Sequence, residues 1–437
     1  MTLLTITPGR PLRGTTTVPG DKSLTHRAII LTALAEGTST IAGYCQGEDC
    51  LNTMRAFQGL GIPITQTLTE LTVCGKGFWG LSEPSAPIDC GNSGTGIRLL
   101  IGLLAGQDFF SVLTGDASIR RRPMGRVVKP LREMGAVIGG RRGGELAPLA
   151  ITGAALHGIE YTSPVASAQI KSSLLLAGLF AQGRTRYKEP SLSRDHTERM
   201  FQFFGIPLTK EDGALVLQGR PSVGWPGIHM TIPGDFSAAA FFIVAATIVQ
   251  GSDITIYNVG MNPTRTGLIE VMRKMGADIQ VLGLREAAGE PVGDLRVKSA
   301  ALKGVTIGHD LIPKMIDEFP VLCVAAAVAN GDTVISGADE LRVKESDRIA
   351  TMSRELTSMG ALIEERLDGM IIHGLGRRGE NGRLKAAGKA ESHGDHRVAM
   401  SLAIGGLTAE QSMTITDASC VDTSFPNFEK TLVDLLA

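Results

Sequence analysis

The sequence predicts an α/β protein made of two similar halves, each built from three repeats of roughly 70–80 residues. Two helix patterns predict these repeats. One is an amphipathic helix that ends in glycine before a strand, and the other is a more apolar helix followed by a glycine turn and a β-like run. Both patterns recur at regular spacing along the whole chain, which a coincidence of common helix sequences does not explain.

The amphipathic pattern has five copies, whose terminal glycines lie 70 to 84 residues apart. A glycine at this place is the usual left-handed cap, after which the chain leaves the helix. The charged faces of these helices predict that they lie on the outside of each half, and segment 425–437 resembles a truncated sixth copy. The five glycines are Gly61, Gly135, Gly205, Gly276 and Gly360.

The apolar pattern has six copies, whose first residues lie 70 to 80 residues apart. These helices are almost continuously apolar, so we expect them to be buried. Pro-Gly turns in 18–21 and 231–235 predict the joints between the halves, and the glycine- and charge-rich segments 139–145, 283–294 and 374–391 are predicted to be loops. The six copies span 23–41, 95–113, 167–187, 237–256, 317–335 and 395–415.

The composition excludes several classes of protein. Apolar residues make up 43% and charged residues 20% of the 437 residues, a globular balance that excludes a disordered or fibrous chain. The 43 basic and 44 acidic residues nearly cancel, so the overall charge predicts neither nucleic acid nor a membrane as partner. Six cysteines without a CxxC pair indicate reduced thiols in place of a disulfide framework or a zinc site. The sequence shows neither a signal-peptide pattern nor an apolar stretch of bilayer length, so we expect a cytoplasmic protein.

Polar residues cluster at the starts of the apolar helices, where free N–H groups and the helix dipole favour anions. Capping alone would explain Ser23, Ser167 and Asp235, because serine and aspartate are preferred caps. It does not explain Lys22, Arg27 and Arg397, because a cation at a helix N-terminus opposes the dipole. We therefore expect anionic ligands there. The polar groups are Asp21-Lys22-Ser23 with Arg27, Asn92-Ser93-Gly94-Thr95 with Arg98, Ser167-Ala168-Gln169 with Lys171, Asp235 with Ser237, Asp317-Glu318, and Asp395-His396-Arg397.

Two further clusters carry charge, SIRRRPMGR at 118–126 and ELRVKESDR at 340–348. Arginine forks of this kind bind phosphate and carboxylate groups. His393 and His396 have no third ligand at metal spacing, so we predict no metal site. The glycine loop at 91–96 lacks the third glycine of a dinucleotide fingerprint. These residues predict an enzyme with a basic cleft between its halves, which binds small, multiply anionic substrates without a metal or an organic cofactor.

At these residues the chain resembles the EPSP synthase family, the 3-phosphoshikimate 1-carboxyvinyltransferases. The matching motifs follow the family's order from Gly20 to Phe428. The resemblance implies an inside-out α/β barrel of six βαβαββ repeats, three in a domain of residues 20–233 and three in a domain of residues 1–19 and 234–437, with the active site in the cleft between the domains. The motifs are GDKSLTHR (20–27), GNSGTGIR (91–98), RRPMGR (121–126), ASAQIKS (166–172), SRDHTERM (193–200), RVKESDR (342–348), GDHRVAM (394–400) and TSFPNF (423–428).

The activity implied by the resemblance is transfer of the enolpyruvyl group of phosphoenolpyruvate to the 5-hydroxyl of shikimate 3-phosphate, with release of phosphate. This is the step before chorismate in the biosynthesis of aromatic amino acids. The two substrates bring two phosphates and two carboxylates, which accounts for a basic cleft in a nearly neutral protein. A monomer without nucleic-acid or membrane partners is expected.

The resemblance also assigns residues. It makes Asp317 the base for the 5-hydroxyl, Glu345 the proton donor to the methylene carbon, and Lys22 a shared electrostatic and proton-handling group. The residues implied for shikimate 3-phosphate are Lys22, Ser23, Arg27, Ser167, Ala168, Gln169, Arg194, Asp317 and Lys344. Those implied for phosphoenolpyruvate are Lys22, Gly94, Arg122, Gln169, Arg348 and Arg397.

The chain departs from the family pattern at Thr423, where many members have a lysine. A cation near the phosphate of phosphoenolpyruvate is therefore expected to be missing or replaced. Gly94 lies at the position that decides sensitivity to glyphosate, whereas the motifs at 20–27 and 122–126 resemble a more tolerant subgroup. The resemblance therefore predicts no particular response to this inhibitor.

There are two alternatives, a sister enzyme that shares the fold and the chemistry, and a protein of a different class. The sister enzyme that transfers enolpyruvyl to UDP-N-acetylglucosamine usually has a reactive cysteine in the arginine loop, and 118–126 contains none. The sequence Ser-Ala-Gln at 167–169 also favours the phosphoshikimate site. A nucleic-acid-binding module using Arg120–Arg126 is disfavoured by the near-zero net charge and the few aromatic residues.

Overall fold

The structure, a computed structural model, describes residues 2–219, 224–377, 379–385 and 388–436. By its internal contacts the chain divides into two compact units. The first unit comprises Gly20–Ile232 and Ala287–Glu290, and the second comprises Met1–Pro19, Pro233–Glu286 and Pro291–Ala437.

The strands are β1 (Leu4–Ile6), β2 (Arg13–Thr17), β3 (Glu36–Ala42), β4 (Ile64–Gln66), β5 (Glu70–Lys76), β6 (Ile88–Asp89), β7 (Phe110–Thr114), β8 (Val137–Arg141), β9 (Leu146–Thr152), β10 (Glu160–Thr162), β11 (Arg184–Lys188), β12 (Leu208–Glu211), β13 (Ala214–Gln218), β14 (His229–Thr231), β15 (Asp253–Gly260), β16 (Asp278–Ala287), β17 (Glu290–Lys298), β18 (Thr306–Ile307), β19 (Asn330–Ile335), β20 (Leu362–Arg366), β21 (Gly369–Leu375), β22 (Lys389–Glu391) and β23 (Met413–Thr416).

The α-helices are α1 (Lys22–Ala33), α2 (Glu48–Gly59), α3 (Gly94–Ala105), α4 (Gly125–Glu133), α5 (Ala168–Gly178), α6 (His196–Phe203), α7 (Phe236–Ile248), α8 (Gly267–Met275), α9 (Ile312–Met315), α10 (Phe319–Val328), α11 (Arg348–Ser358), α12 (His396–Gly406) and α13 (Phe428–Leu435). Short 3₁₀ helices span Ile119–Arg121, Arg142–Gly144, Asp339–Val343 and Ala418–Thr423.

The predicted repeats are confirmed by the sheets. Within the described residues the strands form six separate sheets, in the orders β14-β3-β5-β4, β6-β7-β9-β8, β10-β11-β13-β12, β2-β15-β17-β16, β18-β19-β21-β20 and β1-β23-β22. In each four-stranded sheet the first two strands of the order given are parallel, for example β6 with β7. The other two pairings are antiparallel, for example β7 with β9 and β8 with β9. Each of these sheets therefore corresponds to one repeat of the chain.

Two of the sheets take their first strand from a distant part of the sequence. Strand β14 lies parallel to β3, with Met230 opposite Ile41, and completes the first repeat of the first unit. Strand β2 lies parallel to β15, with Thr15 opposite Thr255, and does the same in the second unit. The N-terminal β1 pairs antiparallel with β23 in the three-stranded sheet. In each unit, one sheet is thus completed by a strand that is distant in sequence from the other strands of that sheet.

Buried helices occupy the interior of each unit, as the apolar pattern predicts. In the first unit these are α1, α3 and α5, and in the second α7, α10 and α12; every residue of α7 is buried. The amphipathic helices α2, α4, α6, α8, α11 and α13 bury only one face. Each unit thus has helices inside and sheets around them, which is the inside-out arrangement.

The glycine caps are confirmed, since all five predicted glycines have φ between +72° and +105°. The loop predictions at 139–145 and 283–294 are largely wrong. Strand β8 includes residues 139–141 of the first segment. In the second segment, β16 and β17 pair with each other, and only Ala288 and Gly289 form the turn between them. Glycine in these strands mimics a loop pattern because it removes the alternation of side chains that marks a strand. Of the segment 374–391, residues 378, 386 and 387 lie outside the described residues, and the rest includes β22.

None of the helices in the described part of the chain combines the length and the apolar character needed to cross a membrane.

Candidate active site

The predicted site residues form two groups, one in each unit. The first half-site is the group in the first unit, and the second half-site is the group in the second unit; each lies at the starts of inner helices and in neighbouring loops. The first half-site consists of Lys22, Ser23, Arg27, Gly94, Arg122, Ser167, Ala168, Gln169 and Arg194. The second half-site consists of Asp317, Lys344, Glu345, Arg348 and Arg397.

Side-chain caps prepare the helix starts of the first half-site. An Asp21 carboxylate oxygen accepts from the N–H of Leu24 at 2.9 Å, and the Ser93 hydroxyl accepts from Gly96 at 2.9 Å. Ser167 caps α5 in the same way, whereas Ser23, for which capping was the alternative, lies inside α1 and does not cap it. Capping and a functional role are therefore compatible at these helix starts.

Lys22 is held by a carboxylate from the neighbouring helix. Its Nζ donates to Oδ2 of Asp49 at 2.9 Å, and both side chains are largely buried. Asp49 lies in the first turn of α2, where the helix dipole also favours its charge. The ammonium group at the start of α1 is thus positioned before any ligand arrives.

Arg27 lies one turn into α1 and is buried. Its Nε donates to the hydroxyl of Thr197 at 2.7 Å, Nη2 to that of Ser172 at 2.7 Å, and Nη1 to the carbonyl of Ser23 at 2.8 Å. Burial lowers the pKa of Arg27 to about 10, and the nearby charge of Arg194 acts in the same direction. These two arginines therefore lie close together in the first unit, where an anion would relieve their repulsion.

Gly94 and Arg122 lie in direct contact. A β-carbon built on Gly94 would be 2.8 Å from Nη1 and 2.9 Å from Cζ of Arg122. The absence of a side chain at the start of α3 thus allows the guanidinium to approach the free N–H groups of that helix.

Arg98 connects the starts of α3 and α5 with the loop that carries Arg122. Its Nη1 donates to Oε1 of Gln169 at 2.6 Å, and its Nη2 donates to the carbonyl of Pro123 at 3.0 Å. Gln169 also donates to the hydroxyl of Thr95 at 3.2 Å. A single buried arginine thereby fixes Gln169 and the backbone next to Arg122.

His26 is a buried structural histidine behind the first half-site. Its Nδ1 lies 2.8 Å from the hydroxyl of Thr53, and its Nε2 lies 3.3 Å from the hydroxyl of Ser93. Burial, with the nearby cations Lys22 and Arg27, lowers the pKa of His26 to about 3. The ring is therefore neutral near pH 7 and links α1 to the cap of α3.

Arg348 is the centre of the second half-site and is almost fully buried. It contacts three carboxylates: Nε lies 2.8 Å from Asp395, Nη2 lies 2.7 Å from Glu345, and Nη1 lies 3.3 Å from Asp317. Burial acts to lower the pKa of Arg348, but the three carboxylates raise it well above its ordinary value. Asp395 is fully buried; burial acts to raise its pKa, and Arg348 lowers it below the ordinary value.

Arg397 lies in the first turn of α12 and contacts the same carboxylate region. Its Nε is 3.6 Å from Oδ1 of Asp317, and its Nη1 donates to the carbonyl of Asp317 at 3.2 Å. The predicted base is therefore held between two arginines, and 18% of its side chain remains exposed.

Lys344 lies just after the 3₁₀ helix Asp339–Val343 and is partly exposed. Loss of hydration lowers its pKa to about 8, against the opposing effects of Asp317 and Glu340, while Arg348 adds to the lowering. Its charge is therefore easily lost in mildly alkaline solution.

A buried polar network supports α10, which follows Asp317. The hydroxyl of Ser237 donates to Glu318, the residue next to Asp317 in the chain. Arg265 donates to that hydroxyl at 2.7 Å and to Asp235 at 3.1 Å. The network fixes the start of α10 from the interior of the second unit.

Sequence reasoning missed several residues of this architecture. Arg98, Glu318 and Asp395 are among the polar groups at the helix starts but were given no role, and Asp49 was not named at all; all four position the predicted site residues. Asp49 could have been found from the sequence. It lies at the start of α2, the helix that follows α1, and an acidic residue there is a natural partner for Lys22. The helix start marks Glu318 as polar, but no local pattern pairs it with Ser237, which is 81 residues away.

Thr423 ends the 3₁₀ helix Ala418–Thr423 and is partly buried. Across the described ranges, no group of three or more histidine, cysteine, aspartate or glutamate side chains is arranged to hold a metal ion.

Comparisons with known proteins identify relatives along nearly the whole chain. Residues 6–432 match the family described as EPSP synthase (3-phosphoshikimate 1-carboxyvinyltransferase). The chain is 53% identical over 424 residues to the 3-phosphoshikimate 1-carboxyvinyltransferase of Geobacter metallireducens, covering 97% of each protein. It is 53% identical over 428 residues to the protein of that name from Geobacter sulfurreducens, covering 98% of each.

Solved structures show the same likeness. An EPSP synthase from Acinetobacter baumannii matches with a TM-score of 0.87 and 45% identity, covering all of this chain and 98% of the other. The enolpyruvyl transferase NikO from Streptomyces tendae matches with a TM-score of 0.78, covering 99% of this chain and 97% of the other, but at 15% identity it shows a common fold only.

Proposed function

Because the chain belongs to the EPSP synthase family, we propose that its two half-sites together transfer the enolpyruvyl group of phosphoenolpyruvate to the 5-hydroxyl of shikimate 3-phosphate. Phosphate is the second product. The enzyme is a 3-phosphoshikimate 1-carboxyvinyltransferase of the shikimate pathway.

The observation that carries the proposal is a set of four arginines, each less than a tenth exposed. Cations that are already oriented and partly desolvated bind phosphate and carboxylate groups with little further loss of side-chain entropy. Two substrates with two phosphates and two carboxylates fit this set. The four are Arg27, Arg122, Arg348 and Arg397.

The reaction requires an addition followed by an elimination. In the addition, Asp317 accepts the proton of the 5-hydroxyl, the oxygen bonds to C2 of phosphoenolpyruvate, and Glu345 donates a proton to the methylene carbon, which becomes a methyl group. In the elimination, the methyl group returns its proton to Glu345, the C–O bond to phosphate breaks, and the proton held by Asp317 goes to the leaving phosphate. Positioned proton transfer of this kind contributes about 10²–10⁴-fold to the rate.

The geometry of the second half-site supports these roles. Asp317 and Glu345 are both partly exposed and both contact Arg348, so each carboxyl group can meet a substrate, and Glu345 carries the proton that it donates in the addition. Lys22, held by Asp49, stabilises the negative charge that develops on the reacting oxygens. We propose that residues of both half-sites contact the same pair of substrates.

Shikimate 3-phosphate is assigned to Lys22, Ser23, Arg27, the start of α5, Arg194, Asp317 and Lys344, as the resemblance implies. Phosphoenolpyruvate is assigned to Lys22, Gly94, Arg122, Gln169, Arg348 and Arg397. We further propose that the enzyme works as a monomer in the cytoplasm, as expected from its sequence.

The experiment that tests the function is phosphate release from phosphoenolpyruvate by the purified protein. Release that depends on shikimate 3-phosphate is expected, with the enolpyruvyl product detected by mass spectrometry. UDP-N-acetylglucosamine is the control acceptor, and release that depends on it in place of shikimate 3-phosphate would overturn the proposal.

A further inference from the structure

A buried lysine lies directly behind the predicted binding site for shikimate 3-phosphate. Lys171 is on α5, two residues after Gln169, and its side chain has no exposed surface. Its Nζ lies 2.7 Å from Oε1 of Glu198 and 3.0 Å from Oε1 of Glu189. It also donates to the carbonyl of Ser193 at 3.4 Å. The amine cannot touch a substrate, so its place beside the site needs another explanation.

The three contacts of Lys171 fall on the beginning, middle and end of one segment. This segment, 189–198, leaves β11 without regular structure and enters the first turn of α6. Glu189 is also an acceptor within it, at 3.0 Å from the N–H and 2.6 Å from the hydroxyl of Ser193. Lys171 and Glu189 therefore close the segment into a loop around Ser193.

Arg194 is the residue that follows Ser193 in this closed loop. Its neighbour on the other side, Asp195, pairs with Nε of Arg199 at 2.9 Å. The backbone on both sides of Arg194 is thus held by charged contacts, and Lys171 supplies those on the N-terminal side. The same lysine belongs to α5, whose start holds Gln169. One ammonium group thus connects two parts of the predicted binding site.

Stability alone is a poor reason for this arrangement. Burying a lysine with two carboxylates costs desolvation that well-packed apolar side chains would avoid, so such clusters are weak contributors to stability. Their attested use is to specify one arrangement of the chain. The arrangement specified here is that of the loop carrying Arg194.

We propose that Lys171 is a positioning residue for shikimate 3-phosphate, which acts by holding the 189–198 loop in the shape that presents Arg194 to an anionic group of that substrate. The inference rests on the proposed function, in which Arg194 and the start of α5 bind shikimate 3-phosphate. It adds a residue whose effect on binding passes through Arg194.

The first test is a comparison of Lys171→Met and Lys171→Arg in steady-state kinetics with both substrates. Misplacing a binding group by about an ångström costs up to about 100-fold, so we expect Lys171→Met to raise the KM for shikimate 3-phosphate about 10- to 100-fold. The KM for phosphoenolpyruvate should change less than about twofold, and Lys171→Arg should restore part of the loss because it keeps a charged donor. Equal increases in both KM values, or no rescue by arginine, would overturn the proposal.

The second test is a double-mutant cycle with Arg194→Ala. If Lys171 acts through Arg194, Lys171→Met should raise the KM for shikimate 3-phosphate no further in the Arg194→Ala background. Additive effects would overturn the positioning role and leave the proposed function intact. An Arg194→Ala enzyme with an unchanged KM for shikimate 3-phosphate would instead contradict the assignment of Arg194 in the proposed function.

Two further variants keep the test decisive if Lys171→Met does not fold. Ser193→Ala removes only the hydroxyl bond to Glu189 and leaves the buried ion cluster complete, and the same selective rise in KM, of smaller size, is expected. Lys188→Met is the matched control, because it removes an exposed lysine at the end of β11 next to the loop and should leave both KM values unchanged. An unchanged KM for shikimate 3-phosphate in Ser193→Ala would contradict the proposal.

Discussion

The guanidinium of Arg122 rests against the α-carbon of Gly94, so closely that a β-carbon at residue 94 would lie 2.8 Å from Nη1. Gly94→Ala should therefore displace the end of the arginine side chain, which can move without disturbing the fold. Loss of a charge-assisted hydrogen bond costs roughly 1.5–3 kcal/mol, so we expect the KM for phosphoenolpyruvate to rise about tenfold or more. The KM for shikimate 3-phosphate should change much less.

Gly59→Ala is the control for this substitution, because a β-carbon at the end of α2 meets no atom within 4 Å. Steady-state kinetics and thermal unfolding of both variants check the prediction. A Gly94→Ala enzyme with an unaltered KM for phosphoenolpyruvate would show that Arg122 does not bind this substrate.

Asp317→Asn should lower kcat about 10²–10⁴-fold, because the amide keeps the shape of the side chain but cannot accept the proton of the 5-hydroxyl. Binding of shikimate 3-phosphate should be largely kept, and equilibrium titration measures it directly. Asp310→Asn changes an exposed aspartate in the same unit and should leave kcat unchanged. If Asp317→Asn turned over at the normal rate, Asp317 would not be the base.

The charge of Lys344 predicts a pH dependence of substrate capture. Its pKa in the folded protein is about 8, so its positive charge is present below that pH and is lost as the pH rises through it. Because the dependence of kcat/KM on pH reports groups of the free enzyme, kcat/KM for shikimate 3-phosphate should fall above about pH 8.

Lys344→Arg separates this effect from other titrations. Arginine stays protonated throughout the range, so the fall near pH 8 should disappear from the pH profile of the variant. A profile that keeps the same fall would exclude Lys344 as its source.

His26 predicts a loss of stability in acid. Its folded pKa is about 3 against an ordinary value of 6.5, so between these pH values the unfolded chain binds a proton that the folded protein does not. The free energy of unfolding should therefore fall with decreasing pH, by about 1.4 kcal/mol per pH unit from this residue. His26→Gln, which cannot take up the proton, should make the pH dependence less steep by this amount.

Urea unfolding of the wild type and His26→Gln at about pH 7 and about pH 5 measures the difference. His157→Gln replaces an exposed histidine and should retain the wild-type pH dependence. Equal slopes for His26→Gln and the wild type would mean that His26 is protonated in the folded state.

The repeats could be predicted from sequence because each depends on local patterns. A glycine such as Gly276 marks the end of a helix by its backbone conformation alone, and the apolar run of 236–248 predicts its own burial. The caps Asp21 and Asp395 likewise bond within three residues of themselves. Features of this kind can be predicted from each segment of the sequence by itself.

The remaining features depend on contacts between distant segments. The carboxylate that holds Lys22 is 27 residues away, and the partner of Arg98 is 71 residues away in Gln169. The residue pattern of a helix or strand does not reveal such pairs, because they form only when elements that are distant in sequence pack together. The β16–β17 hairpin is local in sequence, but it was not predicted because its glycines resemble those of a loop.

The pairing of β2 with β15 and of β1 with β23 has a consequence for the newly made chain. Residues 20–232 contain every strand of the sheets of the first unit, so that unit can mature as soon as β14 has left the ribosome. The N-terminal strands β1 and β2 emerge earlier still, yet their partners lie more than two hundred residues downstream. Strand β2 must therefore wait unpaired until residues 253–257 have been made, and β1 until residues 413–415, when translation is almost finished; until then each is open to chaperones or to mispairing.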